Sequence, residues 1–143
     1  MISKHAHQMM KEGQQIFRFD TFGSGAFWGD VLQLHKAIAG EKNGGVGGGV
    51  SPKTALSVGL KVDSDALPDS LKQQIKDGKV DLNDPATTLA LLKLNSVLGV
   101  TGIFDRSGYI KSMDIQCAFC HSTVDDSFLQ VSEGGWTAGR TAI

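Results

Sequence analysis

The sequence predicts a mainly α-helical protein with one small β-hairpin, and three observations support this fold class. Much of the chain carries apolar residues at helical spacing, bounded by capping residues, prolines and glycines. Residues 100–115 change instead to the shorter period of strands, with Gly108 in the turn. The length of 143 residues and an apolar fraction of 41% fit one globular unit. We therefore expect residues 1–143 to form a single domain.

The charge balance argues against two classes of partner. Lysine and arginine number 14 against 15 acidic residues, for a formal net charge of −1. Nucleic acid and anionic membranes are bound by clustered basic residues, which the sequence lacks. No apolar run is long enough to span a membrane, and the N-terminus lacks the apolar region and cleavage site of a secretory signal. We expect no nucleic-acid partner, no membrane span and no signal peptide in this chain.

The first third of the chain predicts two helices joined by an aromatic turn. Residues 5–17 have apolar positions at helical spacing, with His5 and His7 solvated at the frayed start. Residues 17–25 contain three phenylalanines and two glycines, which predicts an aromatic turn beside the main cavity. Residues 26–39 carry two adjacent apolar stripes and should form a mostly buried helix.

The glycine-rich segment Gly44–Gly49 has the spacing of a phosphate-binding loop without its chemistry. Val50 and Ser51 follow where such a loop needs lysine and then serine or threonine. No strongly apolar strand precedes it, as a dinucleotide site requires. A flexible surface loop is therefore expected.

Three further helices are predicted from their boundary residues. A serine–proline pair begins one over residues 51–59, and a second runs from about Pro68 to Gly78. The third begins at the aspartate–proline pair of residues 84–85 and ends at Gly99. Its leucines outnumber what one exposed face would carry, so it should be a central packing element.

Both cysteines lie in one motif, Cys117-Ala-Phe-Cys120-His121, which follows the predicted hairpin. Its spacing is that of covalent haem attachment, because two thiols add to the two vinyl groups of one porphyrin and the adjacent imidazole binds the iron. His121 is therefore the expected proximal ligand. Three other interpretations stay open: a thioredoxin-like redox pair, half of a zinc site, and coincidence. A redox pair would be expected at the strand-to-helix junction of a βαβ unit, and no second cysteine–histidine cluster completes a zinc site.

His35, on the apolar helix predicted over residues 26–39, has two interpretations. It is either a core histidine that hydrogen-bonds the backbone, or a distal iron ligand or a group that orients one. No methionine follows His121, and Met113 is too near Cys117 in sequence to be expected on the opposite face of the ring. An imidazole is then the expected replacement for a methionine ligand.

Six segments together resemble a family of exported bacterial c-type cytochromes, and the cysteine region resembles the cytochrome c peroxidase and di-haem oxidoreductase group. The resemblance runs from about residue 8 to Phe128. The segments are Ile16-Phe-Arg-Phe-Asp-Thr-Phe-Gly23, Ala26-Phe-Trp-Gly-Asp30, Leu34-His35-x-Ala-Ile38, Gly47-x-Gly-Val-Ser-Pro-Lys-Thr-Ala55, Asp84-Pro-Ala-Thr-Thr-Leu-Ala-Leu-Leu92 and Ile115-Gln-Cys-Ala-x-Cys-His-Ser-Thr-Val-Asp-Asp-Ser-Phe128.

This resemblance implies a cytochrome c-like helical domain with haem c as its cofactor. It implies thioether bonds at Cys117 and Cys120, iron ligation by His121, a redox partner protein, and a periplasmic or extracellular location. Members of the family begin with a signal peptide and continue well past the haem motif, so the chain is expected to be a partial domain.

The motif and the resemblance lead to three hypotheses about function. The first is an electron-transfer protein, in which the polypeptide holds and tunes the iron. The second is a fragment of a peroxidase-like haem enzyme whose iron has an open sixth position, and the third is a haem-free truncated product. A low-spin six-coordinate spectrum would favour electron transfer, and a high-spin spectrum that responds to cyanide or peroxide would favour the enzyme.

The tail over residues 129–143 is interpreted as out-of-frame sequence. Codons can be chosen for it that, read from the third base, encode Pro-Gly-Ile-Gly-Arg-Arg-Leu-Asp-Gly-Trp-Pro-Asn-Arg-Asp, close to what similar proteins have after Phe128. Unselected sequence has no reason to agree with the surrounding fold, so this tail should pack poorly. The alternative is an ordinary divergent C-terminus.

Overall fold

The computed structural model describes residues 2–124, 138–139 and 141–142, and it combines helices with three small sheets. About half of it is helical, so the architecture is mixed α/β and the mainly α prediction is confirmed only in part. The predicted out-of-frame tail, residues 129–143, lies largely outside the described residues. None of the helices in the described ranges is both long and apolar enough to cross a membrane.

Two of the helices begin where the sequence supplies a side-chain cap. Ser51 accepts a hydrogen bond from the backbone N–H of Thr54 at 3.2 Å, and Asp84 accepts one from Ala86 at 2.9 Å. In both cases a proline follows the cap, since a missing N–H costs nothing in the first turn. The α-helices are α1 Ile2–Phe19, α2 Leu34–Ala39, α3 Pro52–Ser57, α4 Asp69–Lys76 and α5 Pro85–Lys93. Single 3₁₀ turns lie at Glu41–Asn43, Ser64–Ala66 and Cys117–Phe119, and a π-helical turn lies at Ala26–Val31.

The predicted hairpin is confirmed and is the longest strand pairing among the described residues. Its strands pair antiparallel from Val100 opposite Ile115, with an irregularity in register beside Phe104 and Gly108 in the turn. The strands are β1 Lys61–Asp63, β2 Val97–Leu98, β3 Val100–Phe104, β4 Ile110–Ile115, β5 Thr123–Val124, β6 Ala138–Gly139 and β7 Thr141–Ala142. One sheet has the order β2-β1-β6, with β6 parallel to β1, and β5 pairs antiparallel with β7.

The prediction of a single buried helix over residues 26–39 is wrong, because the helical conformation is interrupted within this range. Gln33 has a left-handed backbone with φ of 50°, which separates the π-helical turn Ala26–Val31 from α2. The π-helical turn packs closely on β4, where an added Cβ at Gly29 would lie 1.8 Å from the Ser112 hydroxyl. Phe27 remains 52% exposed, so the wide apolar face is only partly covered.

The helix predicted to end at Gly99 ends earlier, at Lys93. Asn95 takes the left-handed conformation with φ of 52° that closes a helix, and residues 97–98 then form β2. Asparagine reaches this conformation more easily than other residues except glycine, because its short polar side chain bonds locally. The central packing role is confirmed, since Leu89, Leu91 and Leu92 are all buried in the core.

The aromatic turn over residues 17–25 does not lie beside the main cavity as predicted. Phe19 and Phe22 are exposed, and the buried residue of this stretch is Arg18. Ser24 fixes the turn to the end of β4 instead, since its hydroxyl both donates to the Ile115 carbonyl and accepts from the Ile115 N–H at 3.0 Å. The turn therefore holds the strand that leads into the cysteine motif.

Candidate cofactor-attachment site

The two cysteines lie on a tight turn directly after β4. Cys117–Phe119 forms one 3₁₀ turn, and the Cys117 carbonyl accepts hydrogen bonds from the backbone N–H groups of both Cys120 and His121. Ala118 is completely buried, and the Ser122 hydroxyl donates to its carbonyl. The turn is thus anchored by its small residue.

The reactive groups of the motif point away from that anchor. Cys117, Cys120 and His121 are all exposed, and both cysteines are free thiols. Formation of a thioether requires an accessible thiol, and iron ligation requires an accessible imidazole nitrogen. The structure therefore brings together the three residues that the sequence predicts for attachment, with each one open to a ligand.

Gly99 packs directly against this turn. Its carbonyl accepts a hydrogen bond from the Gln116 N–H at 2.9 Å, and its φ is 81°. A Cβ added at Gly99 would lie 2.2 Å from the Cα of Phe119, well inside contact distance. Only glycine fits at this position without moving the attachment turn.

An apolar cavity of about 240 Å³ adjoins the turn. Phe119, which lies between the two cysteines, forms part of its wall together with Met113 and Ile115 of β4. Lys61 is the one charged residue among the described residues that line the cavity, and its ammonium donates to the Phe119 carbonyl at 3.5 Å. The motif therefore borders a low-dielectric space.

A buried arginine, Arg18, hydrogen-bonds the residue that precedes Cys117. Arg18 is 5% exposed, and it donates to the Asn95 carbonyl at 2.7 Å and to the Gln116 side chain at 3.4 Å. Gln116 in turn donates to the Thr101 hydroxyl. Asp63 lies 3.6 Å from the same guanidinium. Burial lowers the pKa of Arg18 below its ordinary value, and Asp63 only partly offsets this.

His35 is buried in α2 but does not line this cavity, whereas its neighbours Leu34 and Ile38 do. None of the described residues hydrogen-bonds its Nδ1, so the hydrogen-bonded core histidine of the sequence interpretation is not what the structure describes at that nitrogen. Burial lowers the pKa of His35, Lys36 and Lys111 lower it further, and Asp30 raises it. A role as distal ligand stays a prediction.

Two alternative interpretations of the cysteine pair find no support in the geometry. The motif follows the second strand of an antiparallel hairpin, whereas a thioredoxin-like pair lies in a βαβ unit. Within the described part of the chain, no three histidine, cysteine or acidic side chains are grouped so that they could hold a metal ion, as a zinc site would require.

Arg18 and Gly99 are functional candidates that sequence reasoning did not identify. Arg18 stands between Phe17 and Phe19, and a cation within an apolar run signals a buried, partnered charge. For Gly99, the sequence pattern predicts only the end of a helix. Its packing against Phe119 depends on a contact between distant parts of the chain.

Comparison with known proteins gives no match: no protein-family model matches the sequence, no curated protein matches it, and no solved structure matches its fold. The resemblance to exported c-type cytochromes therefore stays a prediction.

Proposed function

We propose that the chain is a c-type cytochrome that binds one haem through Cys117 and Cys120, with His121 as the proximal iron ligand, and that it transfers electrons to or from a redox partner protein. The observation that carries the proposal is the exposure of both free thiols on one turn, with the imidazole next to them. The resemblance to exported cytochromes supports a cytochrome c-like domain and a periplasmic or extracellular location.

The residues of the turn fit this cofactor. Haem c supplies a one-electron couple between ferric and ferrous iron. The two thiols would hold it covalently, and the bonds to the Cys117 carbonyl keep His121 close behind the cysteines. Burial of Ala118 fixes the turn, so the ligand geometry would be set before the cofactor arrives.

The surroundings supply what an electron-transfer site needs besides ligands. Phe119 and Met113 border the turn with an apolar cavity, and a low dielectric on that side strengthens the effect of nearby charges on a redox centre. In the described part of the chain, the Lys61 ammonium contacts Phe119 of the motif and the Arg18 guanidinium contacts Gln116, which precedes it. Positive charge at such positions favours the reduced form of the iron.

The proposal is tested by expressing the chain behind an added export signal in a host that matures c-type cytochromes. The purified protein should give a pyridine haemochrome spectrum of a haem with two thioether bonds. Cys117→Ser and Cys120→Ser should each shift that spectrum towards one thioether, and the double variant should lose covalent haem. His121→Ala should lose the proximal iron ligand, and His7→Ala, at another exposed histidine, is its matched control. A colourless protein from the exporting host would refute the proposal.

A further inference from the structure

The first helix, α1, is largely exposed along its length. Residues 2–16 are all exposed, and the helix packs on the body of the described structure through its last turn, at the buried Arg18 beside the cysteine turn. A helix of this length is marginal in water unless one of its faces is packed. Gly13 in its interior and the absence of an acidic residue from its first turn weaken it further. Its exposed face therefore calls for a partner.

The apolar residues of α1 follow the heptad pattern of a coiled coil. They recur at alternating spacings of four and three residues, and large side chains alternate with small ones. In heptad notation, the small residues occupy position a and the large residues occupy position d. The a residues are Ala6 and Gly13, and the d residues are Ile2, Met9 and Ile16. Ile2 is 89% exposed and Met9 is 58% exposed, so this seam is open to solvent.

The alternation of sizes fits a second copy of α1 that runs antiparallel. Reversal of direction brings each a residue opposite a d residue, so Ala6 faces Met9 of the second copy and Gly13 faces its Ile2. Every layer then joins a small side chain to a large one, which fills the interface without gaps. In a parallel pair a faces a and d faces d, so Gly13 would face Gly13 and leave a gap.

The same register also matches the polar residues beside the seam. His5 and Glu12 both occupy position g, and the antiparallel pair places His5 of each copy beside Glu12 of the other. A histidine N–H donates to a carboxylate, and symmetry repeats the contact. A shift by one heptad would instead bring the two Glu12 carboxylates together, and a parallel pair would bring Glu12 to the apolar Phe17. Lys4 and Lys11 lie at position f, on the far face of the helix, where their charges stay in water.

We infer that residues 2–13 of α1 are a dimerisation surface, on which α1 of a second copy of this chain lies antiparallel. The contact is isologous, since both copies use the same residues. The overlap is about 18 Å long, so the interface is smaller than the roughly 800 Å² per partner of a standard complex. A weak dimer follows, with a dissociation constant on the order of 100 µM. The dimer does not require haem, so the inference stands apart from the proposed function.

Sedimentation of the full chain tests the seam. The haem-free protein, kept reduced so that its thiols form no cross-link, is measured from about 10 µM to about 1 mM, on both sides of the expected dissociation constant. Wild type should change from monomer to dimer over this range. Met9→Glu should raise the dissociation constant at least about tenfold, because it buries a charge at the centre of the seam. Lys11→Glu puts the same side chain on the far face and is the matched control, which should dimerise like wild type.

A charge exchange tests the register. His5→Glu should weaken the dimer about threefold to tenfold, because the new carboxylate faces Glu12 of the second copy. The double variant His5→Glu, Glu12→Lys should restore wild-type affinity. His7→Glu makes the same change at an exposed residue off the seam, and it should leave the affinity unchanged.

The substituted residues are all exposed, so the body of the protein folds without them, and circular dichroism of each variant checks this. A wild-type chain that is monomeric at about 1 mM would overturn the inference, and so would a dimer that Met9→Glu leaves intact. Failure of Glu12→Lys to restore the dimer of His5→Glu would overturn the antiparallel register.

Discussion

Replacement of Gly99 by alanine should destabilise the attachment turn more than the same change at a comparable glycine. Two costs add at this position. The left-handed backbone, with φ of 81°, costs a residue with a Cβ about 1–2 kcal/mol. The new Cβ would also lie 2.2 Å from the Phe119 Cα and 2.3 Å from its backbone nitrogen, so the backbone itself must move, at about 1–3 kcal/mol.

Gly59 is the matched control for this substitution. Its φ is 94°, so alanine meets the same backbone penalty, but no atom lies within 4 Å of the added Cβ. Gly59→Ala should therefore lower the free energy of unfolding by about 1–2 kcal/mol and Gly99→Ala by about 2–5 kcal/mol. The assay is urea unfolding followed by far-ultraviolet circular dichroism, with both variants measured at one temperature and pH.

The difference between the two variants isolates the contact between Gly99 and the turn. Haem yield in the exporting host gives a second measurement, and it should fall for Gly99→Ala and stay at the wild-type level for Gly59→Ala. Equal destabilisation of the two variants would refute the packing of Gly99 against the motif. Normal haem yield in a destabilised Gly99→Ala would refute the claim that this packing shapes the attachment site.

Three further predictions concern His35 and the tail. Burial lowers the pKa of His35 in the folded protein, so the unfolded state binds the proton more readily. The neutral imidazole therefore contributes its full stability above a pH of about 6.5, the ordinary pKa of histidine. This stability is lost as the pH falls through the lower pKa of the folded state. The free energy of unfolding, measured across this pH range, should fall in wild type and fall less in His35→Gln. The same pH profile in both proteins would contradict this prediction. If His35 is the distal ligand, His35→Ala should convert a low-spin haem spectrum to high spin, and an unchanged visible and near-infrared spectrum would remove it as a ligand. If residues 129–143 are out of frame, the encoding DNA should carry the Pro-Gly-Ile-Gly-Arg-Arg-Leu-Asp-Gly-Trp run in a second frame, and its absence there would end that hypothesis.

Local signals predicted the helix caps and the hairpin because each is decided within a few residues. Ser51 and Asp84 cap the first turn that follows them, and Gly108 supplies the positive φ of the hairpin turn. The cysteine motif is equally local, since its spacing alone brings two thiols and an imidazole onto one turn. These are the parts of the fold and site that the sequence predicts well.

Other features depend on contacts between distant segments, which periodicity does not reveal. The early end of α5 follows from Asn95, whose carbonyl accepts a hydrogen bond from Arg18. From the sequence alone, Gly99 is the stronger signal for the end of this helix. The break at Gln33 lies beside a segment that packs on β4, and no helix-breaking residue marks it. Arg18 itself joins residues that are 77 and 98 positions away in sequence.

The central claim is that Cys117 and Cys120 bind haem covalently, and the intact mass of the protein tests it most directly. The chain matured in an exporting host is extracted with acid acetone, which removes haem that is held only by coordination, and is then weighed by mass spectrometry. We predict a mass equal to the polypeptide plus one haem, and the polypeptide mass alone for the Cys117→Ser, Cys120→Ser double variant. A wild-type protein that loses all its haem in the extraction would contradict the claim.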